Sequence, residues 1–314
     1  MEIERIMKLG LKLLVVVGVV AAIAYIAICI LLWRLQNRLM FVPSRVLDTN
    51  PGDLQLQYEE VWLPVSASDN KVKVDKVNAE GLKRIHGWWI DSPPSASFGG
   101  TAKVLLFLHG NAENISGNLN HASNFQKFGF SVLIVDYRGY GLSDGSFSDG
   151  GFPTEKSVYQ DVETAWNYLV EERGISPEQI VIYGHSLGGA IAIELASHHP
   201  EANSLIIEGT FTSMRDMADY QYSYLGIFPI DLLLRNHFAS MNKVGSLKMP
   251  VLFIHGQDDD VVPYWMSQDL FEVASEPKQL LLVPGADHDN VASVSGEEYW
   301  QAVRRLVERV KTRL

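Results

Sequence analysis

Six short runs punctuate this chain: Val104–Leu108, Val132–Val135, Ile180–Tyr183, Leu205–Ile207, Val251–Ile254 and Leu280–Val283. A strand with one wet face alternates apolar and polar residues. A run with no alternation is covered on both faces, as in a parallel sheet packed between helices. Helical patterns fill the intervals. Val158, Val162, Ala165, Trp166 and Leu169 share one stripe, and Gly174 supplies its C-terminal stop. The last helix carries Trp300, Val303, Leu306, Val307 and Val310 on its apolar side. Upstream, Val61–Val65 and Arg84–Ile90 read as an antiparallel edge around a polar turn, and Ser92–Thr101 as a Pro/Ser/Gly loop. Strand and helix in alternation predict an α/β fold, a mostly parallel sheet with helices on both faces. A chain of 314 residues that is 47% hydrophobic has material for one large core.

The N-terminus obeys a different rule. Leu13 to Trp33 contains no charged residue. As a helix, a run of this length spans about 31 Å, close to the hydrocarbon thickness of a bilayer. Trp33 closes the run where an interfacial ring belongs, with Lys8 and Lys12 before it and Arg34 and Arg38 after. The run exceeds a signal-peptide core, and no small-x-small cleavage site follows it, so a single-pass anchor is expected at 13–33. Arg5, Lys8 and Lys12 balance Arg34, Arg38 and Arg45, which leaves the side of the membrane unread. The expected organisation is a short tail over 1–12, the anchor, a membrane-proximal connector over 34–60 with Pro43 and Pro51 as breakers, and a folded body over 61–314. Net charge is −11, which argues against nucleic acid as a partner. The one cysteine, Cys29, lies in or near the span; it excludes an intrachain disulfide and reads as a small apolar residue rather than a lipidation site.

In such sheets ligands gather beyond the carboxyl ends of the strands. After Ile180–Tyr183 comes GHSLGG, a G-x-S-x-G centred on Ser186. A serine raised on a sharp strand-to-helix turn needs flanking residues without bulk, and the turn sets the Leu187 amide at a helix N-terminus, suited to an oxyanion. A serine hydroxyl needs a base. His288, in VPGADHDN past the last apolar run, is best placed. His109 and His255 end strands before Gly and read as turn supports, His198 and His199 sit at a helix end, and His185 is expected to point away from Ser186. FLHGNAEN supplies the second oxyanion donor, the amide of Asn111 or else Ala112, with Gly110 allowing the turn. Asn114-Ile115-Ser116 matches a glycosylation sequon, but a glycan there would obstruct the site. Asp136 and Arg138 read as a structural pair. A carboxylate after the penultimate strand would orient the histidine. Three stand there, Asp258, Asp259 and Asp260, and spacing does not choose among them. A cation site is disfavoured because oxygen ligands usually alternate.

Together, FLHGNAEN, DYRGYGLSDG, GHSLGG, HGQDDDVVP and GADH resemble the α/β-hydrolase superfamily from about Ile85 to the C-terminus, and within it the membrane-anchored ABHD-type serine hydrolases. The resemblance implies Ser186 as nucleophile, His288 as base and Asn111 with Leu187 as the oxyanion pair. It selects Asp259 as the acid, through the H-G-x-x-D-x-x-V-P frame from His255 to Pro263. Asp287, before His288, departs from the Gly the family often carries there. A small cap is expected at about 211–249. Its Met214, Met217, Tyr220, Tyr222, Tyr224 and Phe228 either line an acyl pocket or pack the cap onto the sheet. The expected function is hydrolysis of an ester or thioester, with a lipid-like acyl compound or an acylated protein as substrate and with no cofactor or metal. The alternatives are a peptidase or amidase with the same triad and a catalytically silent binding protein.

Overall fold

The structure is a computed structural model that describes residues 1–66, 82–93, 103–145 and 153–309. The polar turn expected before Arg84, most of the Ser92–Thr101 loop, and Val310 lie outside the described residues. The chain opens with helix α1 (Glu2–Met40) and a 3-10 turn at Pro51–Leu54. It continues through β1 (Tyr58–Pro64), β2 (Arg84–Ile90), β3 (Lys103–Leu108), α2 (Leu119–Phe128), β4 (Phe130–Val135) and α3 (Glu155–Asn167). Next come β5 (Ile180–His185), α4 (Leu187–His198), β6 (Ser204–Glu208), α5 (Met214–Gln221), α6 (Ile230–Leu233) and α7 (Met241–Val244). The order ends with β7 (Val251–Gly256), α8 (Trp265–Val273), β8 (Lys278–Val283), α9 (Val291–Ser295) and α10 (Glu297–Arg309).

Among the described residues, eight strands form one sheet in the order β1-β2-β4-β3-β5-β6-β7-β8. β2 runs antiparallel to both β1 and β4, and every other pair is parallel. Alternate residues of each central strand enter opposite cores. Val104, Leu106 and Leu108 join the core under α3, α4 and α8, while Leu105 and Phe107 join that under α2 and α10. Both faces are dry, which is why these strands read as unbroken apolar runs. Burying one such Leu or Phe contributes about 1.5–3 kcal/mol. The strands outlast those runs at their carboxyl ends, β5 to His185, β6 to Glu208 and β7 to Gly256. β3 lies with β4 on one side and β5 on the other, so the chain order reverses beside the loops after β3 and β5. Ligand crevices form at such reversals.

α1 is long and apolar enough to cross a membrane, and the body covers none of its most apolar stretch. The helix runs past the uncharged 13–33 segment at both ends. Its last turns rest on the short helices between β6 and β7. Gln36, 7% exposed, donates from Nε2 to the Leu233 carbonyl (2.9 Å) and accepts the Arg235 amide on Oε1 (2.7 Å). Asn236 Nδ2 donates to Asn37 Oδ1 at 2.8 Å. Phe41 then enters the sheet core, and the following residues lie along the loop after β3. There Ser116 Oγ receives the Asp48 and Thr49 amides, and Asn114 Nδ2 donates to the Val46 carbonyl. Asn114 is thus buried and engaged.

Candidate active site

Ser186 stands between β5 and α4 at φ 54° and ψ −121°, a backbone conformation that an L-residue adopts only under constraint. Its glycines explain how the turn closes. A Cβ on Gly184 would lie 2.2 Å from the Gly188 carbonyl oxygen, and one on Gly188 2.1 Å from that of Leu108. The strand, the helix and the loop after β3 meet there without room for a methyl group. Thr210 Oγ1 donates to the Ser186 carbonyl at 2.7 Å and ties the turn to the end of β6. Gly110 brings the Asn111 loop against the serine, close enough that a Cβ there would sit 3.2 Å from Ser186 Cβ.

The three aspartates separate by burial. Asp258 and Asp260 are exposed, whereas Asp259 is buried and accepts four hydrogen bonds. Its Oδ1 takes the amides of Val261 (2.9 Å) and Val262 (2.8 Å). Its Oδ2 takes His288 Nδ1 (2.7 Å) and His255 Nε2 (3.0 Å). His255 Nε2 also reaches the Val262 carbonyl, so it carries the proton, and Nδ1 accepts from Ser267 Oγ at 2.7 Å. Burial opposes the Asp259 charge, but the hydrogen bonds from His255 and His288 outweigh it and hold the carboxyl below its usual range. His255, which in sequence reads as a turn support, therefore fixes the carboxylate that holds His288. The signal was its position four residues before Asp259.

Burial likewise opposes the charged form of His288. The hydrogen bond and charge of Asp259 prevail and raise its pKa above the ordinary 6.5, with help from Asp289 and Glu208. With Nδ1 donated to Asp259, Nε2 remains the basic atom. His185 lines the same cavity as His288 and packs on it. Its Nε2 donates to the His288 carbonyl at 3.0 Å, and its ring packs 4.8 Å from that of His288. Burial and the neighbouring imidazole lower its pKa to about 4. Asp287 is exposed and accepts the Asp289 and Asn290 amides, so it stays out of the site, while Asp289 lines it. His185, His288 and Asp289 place ligand-type atoms within 4.8 Å of one another, but His288 Nδ1 and His185 Nε2 are already hydrogen-bonded.

Asn111 uses its side chain to fix its own loop. Oδ1 accepts Tyr140 Oη at 2.8 Å and the Val42 amide at 3.1 Å, joining the loop after β3 to the segment after α1. Arg138 does not pair with Asp136. It turns to Asp161 of α3, Nε to Oδ1 at 2.5 Å, while Asp136 stays buried at the end of β4 and caps the Ile115 amide. Two residues of chain carry Arg138 out from under the sheet, toward α3.

Ser186, Leu187, Asn111 and His288 open on one cavity of about 620 Å³. The cap lines it through Met214, Met217, Tyr222 and Tyr224, and α1 through Leu32 and Leu39. Met217 also packs into the sheet core, so both readings of the cap side chains apply, residue by residue. Phe228 instead stacks on Tyr25 of α1, and Tyr220 is exposed.

Residues 99–229 match the family described as serine aminopeptidase, S33. The human alpha/beta hydrolase domain-containing protein 17B is 30% identical over 295 residues, 90% of this chain and 92% of its own. Protein bem46 of Schizosaccharomyces pombe is 31% identical over 264 residues, 83% of this chain and 80% of its own. An esterase of Pyrococcus furiosus superposes with a TM-score of 0.62 at 22% identity, over 85% of this chain and 98% of that one, a likeness of fold.

Proposed function

Because this chain belongs to the α/β-hydrolase superfamily, we propose that it is a membrane-anchored serine hydrolase acting on an ester or thioester of an acyl, lipid-like compound. The observation that carries the reading is the relay behind one cavity. A serine on a strained turn shares that cavity with a histidine whose far nitrogen is held 2.7 Å from a saturated, buried carboxylate. In the proposed cycle Ser186 Oγ attacks the acyl carbonyl and its proton passes to His288 Nε2. The imidazolium forms against Asp259. The amides of Leu187 and Asn111 receive the oxyanion, with the dipole of α4 behind the first. Collapse expels the alcohol or thiol, which takes the proton from His288. Water, deprotonated by the same nitrogen, then releases the acid. His185, held neutral, adds no positive charge beside the forming imidazolium. The anchor is α1, whose uncharged run matches a bilayer core.

Labelling with a fluorophosphonate probe tests the reading, wild type beside Ser186→Ala. Ser186-dependent labelling is expected, and folded protein that fails to label would refute it. A panel of esters, thioesters and aminoacyl amides then tests the bond cleaved. A second reading, an aminopeptidase, draws on the matched family's description and on Glu113 and Asp289, two carboxylates lining the cavity that would suit a substrate amine. The apolar walls favour the acyl reading.

A further inference from the structure

α1 meets the cap beside the cavity, which Leu32, Tyr224 and Leu225 line. Position along α1 gives the depth of this junction. Trp33 ends the uncharged run, and the Arg235 guanidinium lies 4.7 Å above its ring, so Trp33 marks the headgroup level. Tyr25 lies eight residues earlier, about 12 Å deeper along the helix. Yet Tyr25 touches the body. Its Oη donates to the Ile227 carbonyl at 2.9 Å, and its ring stacks on Phe228 with centroids 5.2 Å apart. A cap segment that bonds to the interior of a membrane span is itself below the membrane surface.

The segment has the chemistry for that position. From Tyr222 to Ile230 the chain reads YSYLGIFPI, without a charge. Tyr224 is 69% exposed and Ile227 72%, side chains of a kind that water-facing surfaces rarely gather in one patch. The nearest charge after the segment, Asp231, is paired with Arg215 at 2.7 Å and lies beside Leu233, which bonds Gln36 at the level of Trp33. The charged groups thus remain in the headgroup zone while the apolar tip goes below it.

We propose that the cavity is a channel through which one long acyl chain of a leaflet-resident ester enters sideways from the bilayer, with α1 as one wall and the 223–229 tip of the cap immersed in lipid beside it. The chain passes between α1 and α5, and its carbonyl arrives at Ser186 without crossing water. This proposal rests on Ser186 acting as the nucleophile only for the fate of the ester; entry of the chain is a binding event.

The test uses full-length Ser186→Ala protein in phosphatidylcholine vesicles containing a monoacylglycerol with a diazirine at its tail. After photolysis, adducts are mapped by mass spectrometry. Adducts are expected at Met214 and Met217 inside the channel and at Ile227 on the tip. Adding Ala218→Trp, which puts a bulky ring on the channel wall, should reduce the Met214 and Met217 adducts at least tenfold and leave those at Ile227. Adducts confined to the 13–31 surface of α1, or present at Ile227 but absent from both methionines, would overturn the channel. Fluorophosphonate labelling of the wild type is scored separately. Channel adducts without labelling would sink the hydrolase reading and keep the channel, and labelling without channel adducts would do the reverse.

Discussion

The cavity has two unlike halves. On the side of β7 and β8, Asp259 has four donors, His255 is satisfied at both nitrogens, and His288 is held between Asp259 and the ring of His185. On the side of α1 and the cap, the walls are largely Leu, Met and Tyr side chains, and a few side-chain hydrogen bonds from Tyr25, Gln36 and Asn37 hold the two pieces together. Hydrogen-bonded charge is directional and tolerates little displacement, whereas apolar contact is non-directional and admits ligands of several lengths. In the proposed function, one half sets which bond reacts and the other which molecule arrives.

The largest expected effect tests the saturated half. Asp259→Asn should lower kcat about 10⁴-fold, the loss met when a triad acid becomes an amide that stabilises the wrong histidine tautomer. Asp258→Asn and Asp260→Asn should stay within about tenfold, roughly 1.4 kcal/mol on the barrier. Steady-state kinetics on a short soluble ester decides, and a damaging neighbour would move the acid away from the buried position. Next in size is Asn111→Ala. It keeps the backbone amide but removes the acceptor shared by Tyr140 and Val42, and the misplaced loop should cost kcat about 10²-fold. An unchanged kcat would show that the loop holds itself.

The pH profile sharpens the same contrast. His288 must be neutral to accept a proton, and its pKa is raised in the folded protein. Activity should therefore rise with pH through a midpoint above 6.5, and in Asp259→Asn that midpoint should move to lower pH. A limb that ignores the substitution would separate His288 from Asp259. The smallest effect belongs to the apolar half. Gln36→Ala removes two hydrogen bonds between α1 and the cap, about 1 kcal/mol of attachment each. It should raise amide exchange over 223–235 and change KM for long-chain more than for short-chain esters. Equal change in both would mean that the junction does not touch the substrate.

The two halves were unequally legible. The sheet was readable because two dry faces leave unbroken apolar runs, and GHSLGG because the turn excludes a methyl group at Gly184 and Gly188. The aspartate triplet was not. In a turn, three consecutive side chains leave in three directions, so spacing did not choose among them; the family frame from His255 to Pro263 picked Asp259, and the structure buries that one against His288. His255 looked local because its partners, Asp259 and Ser267, are set by the fold of the loop between them. The junction of Gln36 with Leu233 joins residues 197 apart, a distance over which a periodicity in sequence carries no information. Gln36 itself reads as an ordinary polar residue following a span.

Gln36 also makes the phase of the anchor matter. In the proposed membrane-anchored protein, each residue added to or removed from α1 before Tyr25 leaves both contacts intact but changes how deep the body rides, by about 1.5 Å. A residue added between Tyr25 and Gln36 does something else: it turns one contact about 100° around the helix axis relative to the other. Tyr25 and Gln36 are eleven residues apart, close to three full turns, so both face the cap at once. Before Tyr25 a change of length disturbs neither contact, but between these two residues the spacing is locked like the pitch of a thread.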